Sequence, residues 1–223
     1  FEGKPFALTV ADLLTRIEAS HAQNNGAGKV ITLHPNGFLQ LALDDEPYSR
    51  QAKRESRYQL HIWDKEIAAQ RPDVGDARFT VHDHAFVIDS HVLMGRIMNG
   101  SYEIEPSDDE MEDEQFFKAD GTGAIVATGQ RVWSNMYQAD VMGEGQEYAI
   151  PKGQFHSSKS MTDFSATVIA KGDIDPEYKT WIVGPADYRG ENGEMKVVIS
   201  RDIDQTIAWK AVERVVEYLK SKV

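Results

Sequence analysis

The sequence contains no cysteine, and that one absence removes disulfides, thiolate metal ligands and a cysteine nucleophile together. A metal bound here would have to be held by imidazole or carboxylate. Long apolar runs are also missing: nothing approaches the roughly 18 residues of a membrane-crossing helix, so no membrane partner is expected. Basic residues are scarce, 24 against 36 acidic, for a formal net charge of −12. Phosphate backbones are bound by a surplus of Lys and Arg, so nucleic acid is not expected as a partner. There is no leader-like apolar stretch, and the first residue is Phe1, as expected of a trimmed or processed chain; the expected compartment is the cytoplasm.

What is present reads as a mostly β chain between two helices. Its 223 residues suit one β-rich domain with helical decoration. Thr9 and Asp12 form a capping-box pattern, and Val10, Leu13, Leu14 and Ile17 recur at helical spacing, predicting a helix to about His21. Asn36-Gly37 between the apolar runs 30–33 and 38–43 predicts a hairpin, with His34 as a surface residue beside it. Further strands are expected at 58–63, 79–84, 90–98, 124–133, 135–142, 147–150, 164–170 and 178–183, and residues 64–77 are expected to be loop. Trp133, Met136 and Tyr137 are expected to pack in the core or line a cavity. Seven acidic residues between Glu105 and Glu114 lack the ligand order of an EF-hand and predict a surface loop. At the carboxyl end, Asp204 caps an apolar stripe from Ile207 to Leu219, predicting a longer helix.

Two short patterns carry chemistry. On an extended strand side chains two apart share a face, so His82 and His84 would lie side by side as half of a metal site. His156 follows the turn pattern Pro151-x-Gly153 and can bring a third imidazole from a partner strand. If the strand after His84 is regular, Ile88 shares the parity of the histidines and Asp89 faces away, whereas a bulge reverses this. Three histidines are therefore the expected metal ligands, with Asp89 and His91 as further candidates for the metal or its surroundings. Upstream, Arg50, Arg54 and Arg57 stand in a basic, polar stretch that runs from Tyr48 to Arg57.

These patterns resemble the two signatures of the cupin superfamily. Gly145, Pro151, Gly153 and His156 match the second signature, with Ser160 where its asparagine usually stands. His82, His84 and Gly95 match the first more loosely: Gly75 lies one residue too far upstream, and Ile88 or Asp89 falls where its glutamate is usual. The resemblance implies a double-stranded β-helix (jelly-roll) barrel over residues 55–185, a helix and hairpin extension over 1–54, and a strand and helix over 186–223, together one domain. A three-histidine set is similar to that of the thiol dioxygenases and the diketone dioxygenase. His82-Asp83-His84 and Tyr48-Ser49-Arg50 have counterparts in the cysteine dioxygenase family, while of its Ser-x-His-x-Tyr trio only Ser165 is kept, beside Thr167 and Ile169. The similarity implies a mononuclear non-haem Fe(II) oxygenase acting with O2 on a small carboxylate-bearing substrate, with Arg50, Arg54 or Arg57 as its clamp, since a guanidinium grips a carboxylate with two hydrogen bonds. Manganese, nickel or zinc is the alternative, for a redox-neutral isomerase, lyase or hydrolase, and a non-catalytic ligand-binding cupin is a third reading. A homodimer is also implied, since cupins often pair.

Overall fold

The computed structural model describes residues 8–23, 31–34, 36–43, 57–70, 79–119, 124–188, 196–198 and 201–223. Its elements begin with α1 (Val10–Gln23), β1 (Thr32–Leu33), β2 (Leu39–Ala42), β3 (Tyr58–Asp64) and α2 (Lys65–Gln70). Then come β4 (Ile88–Met94), β5 (Arg96–Ser107), β6 (Glu114–Ala119), β7 (Ala124–Gly143), β8 (Glu147–Ile150), β9 (His156–Ser160) and β10 (Phe164–Lys171). The chain closes with β11 (Trp181–Pro185), β12 (Lys196–Val198), β13 (Arg201–Asp202) and α3 (Gln205–Lys220).

The strands form two antiparallel sheets, ordered β13-β1-β2-β3-β10-β4-β8 and β11-β6-β7-β5-β9, with β12 added to β7. The first sheet is covered on its outer face. Leu39, Leu41, Leu60, Ile62, Ala166 and Val168 form one core with Leu13 and Ile17 of α1 and with Ala208, Val212, Val215 and Leu219 of α3. Each such aliphatic side chain taken from water contributes roughly 1.5–3 kcal/mol, which is what holds these helices to the sheet. Their ends are set locally. Thr9 and Asp12 exchange hydrogen bonds across the start of α1, and Asp204 accepts from the Thr206 backbone N–H at 2.8 Å. Arg214 of α3 pairs at 3.0 Å with the buried Asp64 carboxylate at the end of β3. The result is the expected fold class: a mostly β chain whose antiparallel sheet curls into a half-barrel, flanked by amino- and carboxyl-terminal helices in a cupin-type arrangement.

Gly95 turns the chain from one sheet into the other. Its φ is +73°, and a Cβ there would lie 2.5 Å from the Phe164 carbonyl and 2.5 Å from Ser165 Oγ, so neither the backbone nor the space admits a side chain. This corner divides the strand expected at 90–98 into β4 and β5. Conversely, the strands expected at 124–133 and 135–142 are one, β7, which bends at Gly129 (φ +78°) and serves β6 and β12 with its first half and β5 with its second. The loop expected at 64–77 contains α2, started by the Asp64 carboxylate accepting from the Glu66 backbone N–H at 2.8 Å. The acidic run spans the end of β5, an exposed turn and the start of β6.

Candidate metal centre

The segment expected as a strand at 79–84 is not one; it meets the second sheet through a short stretch centred on His82, and that contact builds the site. His82 exchanges backbone hydrogen bonds with His156 at 3.0 and 2.9 Å, and its neighbours bond to β11 through Asp83 N–H to the Trp181 carbonyl and Val183 N–H to the Val81 carbonyl. One short stretch thus stitches the two edge strands of the second sheet, β9 and β11. Residues directly opposed in an antiparallel pair present their side chains to the same face, so the His82 and His156 imidazoles are neighbours by backbone register. Their ring centroids are 4.5 Å apart, and His84 lies 4.7 Å from His82 and 5.1 Å from His156.

One ring nitrogen from each of the three lies within 4.8 Å of the other two. A single point therefore exists no more than about 2.8 Å from all three, against the roughly 2.0–2.1 Å of an imidazole–metal bond, so small ring rotations suffice to close on one ion. The protein already orients two of the rings. His82 Nδ1 sits 2.9 Å from the Thr80 carbonyl and His156 Nδ1 sits 3.2 Å from the Gln154 carbonyl. An Nδ1–H held by a carbonyl places the lone pair on Nε2, the usual backing for a metal-binding histidine. Burial keeps all three neutral: it lowers His82, drives His84 well down, and with the charge of His82 takes His156 to about 3. Three convergent neutral imidazoles are a donor set that fits a transition metal.

Asp83, between the two histidines, points away from them. Fully buried, it accepts from the Tyr178 hydroxyl and, at 2.7 Å, from the Trp181 backbone N–H. Burial raises its carboxyl above the ordinary range, against the lowering by these hydrogen bonds. The turn before His156 is equally constrained: Gly153 has φ +75°, its N–H donates to the His84 carbonyl at 3.0 Å, and Tyr178 Oη lies 3.2 Å from where a Cβ would be.

The other expected site residues lie elsewhere. Asp89 is exposed while Ile88 is buried, as regular parity requires, and His91 bonds Glu147 at 3.2 Å. Neither belongs to the histidine group. Arg57 is exposed, its guanidinium 5.7 Å from the Tyr58 ring centroid; Arg50 and Arg54 fall outside the described residues, as does Tyr48-Ser49. Trp133, Met136 and Tyr137 are exposed on β7 rather than in the core.

Two histidines of the interior were not anticipated. His34, expected at the surface, is partly buried and stacks on Phe38 at 4.3 Å, and Phe38 meets His61 at 4.4 Å. His34 lies 6.3 Å from His82. Burial takes His61 to about 3, helped by Lys171, and drives His34 well down. On β3 the parity that puts Leu60 and Ile62 under the helices puts Gln59, His61 and Trp63 on the inner face. Gln59 accepts from Gln40 Nε2 at 2.5 Å, and Trp63 Nε1 and Thr167 Oγ1 are buried with no hydrogen-bond partner among the described residues. A polar inner wall thus stands beside the triad. A separate shallow groove of about 460 Å³, bordered by Tyr102, Glu103, Tyr137, Gly153, Gln154 and Phe155, includes none of the histidines.

No protein-family model and no curated protein matches the sequence. Solved structures resemble the chain weakly. Drosophila melanogaster CENP-C bound to CAL1 gives a TM-score of 0.35 at 10% identity over 71% of this chain and 94% of that one. Oxalate oxidase in complex with the substrate analogue glycolate gives 0.29 at 15% identity over 74% and 61%. Hydroquinone 1,2-dioxygenase from Sphingomonas sp. TTNP3 with 4-hydroxybenzoate bound gives 0.29 at 12% identity over 60% and 71%. Likenesses of this size say nothing about chemistry. The histidine cluster does: it is capable of coordinating a metal ion.

Proposed function

We propose that this chain is a metal-dependent cupin-type enzyme, a mononuclear non-haem Fe(II) oxygenase acting on a small anionic substrate. The observation that carries the reading is the convergence of His82, His84 and His156 as neutral imidazoles, two of them, His82 and His156, oriented by carbonyls, beside a polar inner wall. A facial set of three neutral ligands would hold Fe(II), which supplies the redox chemistry between O2 and a substrate bound beside it. The protein's own part is positional. The Thr80 and Gln154 carbonyls fix ring orientation, Asp83 anchors the His82–His84 arc to Trp181, and the helix-covered sheet shields the interior from water.

The test is metal analysis of the purified protein with an oxygen-electrode trace against a panel of small carboxylates and diketones. Bound iron with substrate-dependent oxygen uptake supports the reading. Stoichiometric zinc in an active protein that consumes no oxygen moves it to a redox-neutral isomerase, lyase or hydrolase, where polarising a carbonyl suffices. No transition metal retained after reconstitution makes it a non-catalytic ligand-binding protein.

A further inference from the structure

The loop between β10 and β11 runs along both segments that carry the histidines. It follows the first of them closely: Gly172 N–H donates to the Val87 carbonyl at 2.8 Å and Asp175 N–H to the Ala85 carbonyl at 3.0 Å. Asp175 then reaches the turn before His156, one carboxylate oxygen lying 2.7 Å from the Lys152 ammonium. Its other oxygen accepts from Glu177 N–H at 2.9 Å and its carbonyl from Tyr178 N–H at 3.3 Å, a tight turn that fixes where Tyr178 leaves the loop.

Tyr178 meets both segments with one side chain. Its hydroxyl donates to the carboxylate of Asp83, the residue between His82 and His84. The same oxygen lies 3.2 Å from where a Cβ on Gly153 would stand, with two ring carbons at 3.7 and 3.8 Å. The Lys152 ammonium, 5.5 Å from the ring centroid, holds the ring from the side of that turn. The two segments are also joined by backbone bonds, His82 to His156 and Gly153 N–H to the His84 carbonyl at 3.0 Å. Backbone pairing sets how near they come but leaves each able to tilt. A side chain bonded to one and seated against the other removes that tilt, and ligand pre-organisation of this kind shows in metal affinity.

We propose that Tyr178 is a positioning residue for the metal centre: bonded to Asp83 and seated against Gly153, it holds the His82–His84 arc and the His156 turn at the spacing of one ion. The role rests on the metal-centre reading and deepens it. Tyr178 itself touches neither the ion nor the substrate; it acts through Asp83 and Gly153.

The probe is Co(II) alone, titrated by its ligand-field absorption and by competition with a chelator. Tyr178→Phe keeps the ring and removes the hydroxyl, and should weaken Co(II) about tenfold. Gly129→Ala, at an exposed bend where nothing lies within 4 Å of an added Cβ, is the control: it should lower Tm without weakening Co(II). Gly153→Ala drives a Cβ toward the hydroxyl and should weaken Co(II) at least about threefold less in Tyr178→Phe than in the wild-type background, because the left-handed backbone strain is common to both. Unchanged Co(II) affinity in Tyr178→Phe, or a loss that Gly129→Ala reproduces at an equal fall in Tm, overturns the positioning role. Equal losses from Gly153→Ala in the two backgrounds overturn it as well. A wild-type protein that binds no Co(II) overturns the metal-centre reading and this role with it, a result that the wild-type titration alone separates from the others.

Discussion

The Asp83 carboxylate accepts the backbone N–H of Trp181 at 2.7 Å, tying the residue between two histidines to the edge of the second sheet. The same carboxylate takes the Tyr178 hydroxyl. Asp83→Ala leaves two partly buried donors without their acceptor, for an expected loss of roughly 1–3 kcal/mol by denaturant unfolding. Metal affinity should also fall by about tenfold, because the arc that aims His82 and His84 loses its anchor. Unchanged stability and affinity would show that the backbone bonds of His82 suffice.

Two glycines with the same backbone sign make a matched pair. At Gly95 a Cβ meets the Phe164 carbonyl at 2.5 Å, whereas at Gly129, with φ +78°, nothing lies within 4 Å. Gly129→Ala is expected to cost about 1 kcal/mol, from the left-handed backbone alone. Gly95→Ala should cost roughly 3 kcal/mol or more, since clash adds to strain. Equal midpoints for the two variants would mean that the corner between the sheets yields easily.

Acid should destabilise the metal-free protein. His61 and His156 titrate near 3 in the fold, chiefly through burial, and near 6.5 when unfolded. The unfolded chain then binds more protons, so the stability these groups confer is complete above about pH 6.5 and is lost as the pH falls toward 3. By pH 5 the loss is about 1–2 kcal/mol for each imidazole. Denaturant midpoints between pH 7.5 and 5 measure it, and His61→Gln should flatten the profile. A wild-type profile already flat over that range would contradict the buried, neutral state.

Much of this was legible because the signals were local. The Thr9–Asp12 box, the Asn36-Gly37 turn and the Asp204 cap are each written in a few residues, and the corresponding elements form. The Pro151-x-Gly153-x-x-His156 turn was readable for the same reason. What escaped depends on distant partners. Nothing near His82 says that its segment is held by β9 and β11 rather than by a strand of its own. His34 looked exposed beside a turn because the wall it faces is built by β3 and by the loop of His82. His61 carried a usable signal: Leu60 and Ile62 must lie under helices, so Gln59, His61 and Trp63 were left facing the other sheet, a polar row in a buried place. α2 was hidden by its brevity, six residues with no long apolar stripe.

The central claim is that three imidazoles share one ion, and X-ray absorption at the metal edge of the Fe(II)-loaded protein tests it most directly. The account predicts the multiple-scattering pattern of three imidazoles with nitrogen at about 2.0–2.2 Å, reduced to two in His156→Ala. A spectrum dominated by oxygen ligands, or one that His156→Ala leaves unaltered, would contradict it.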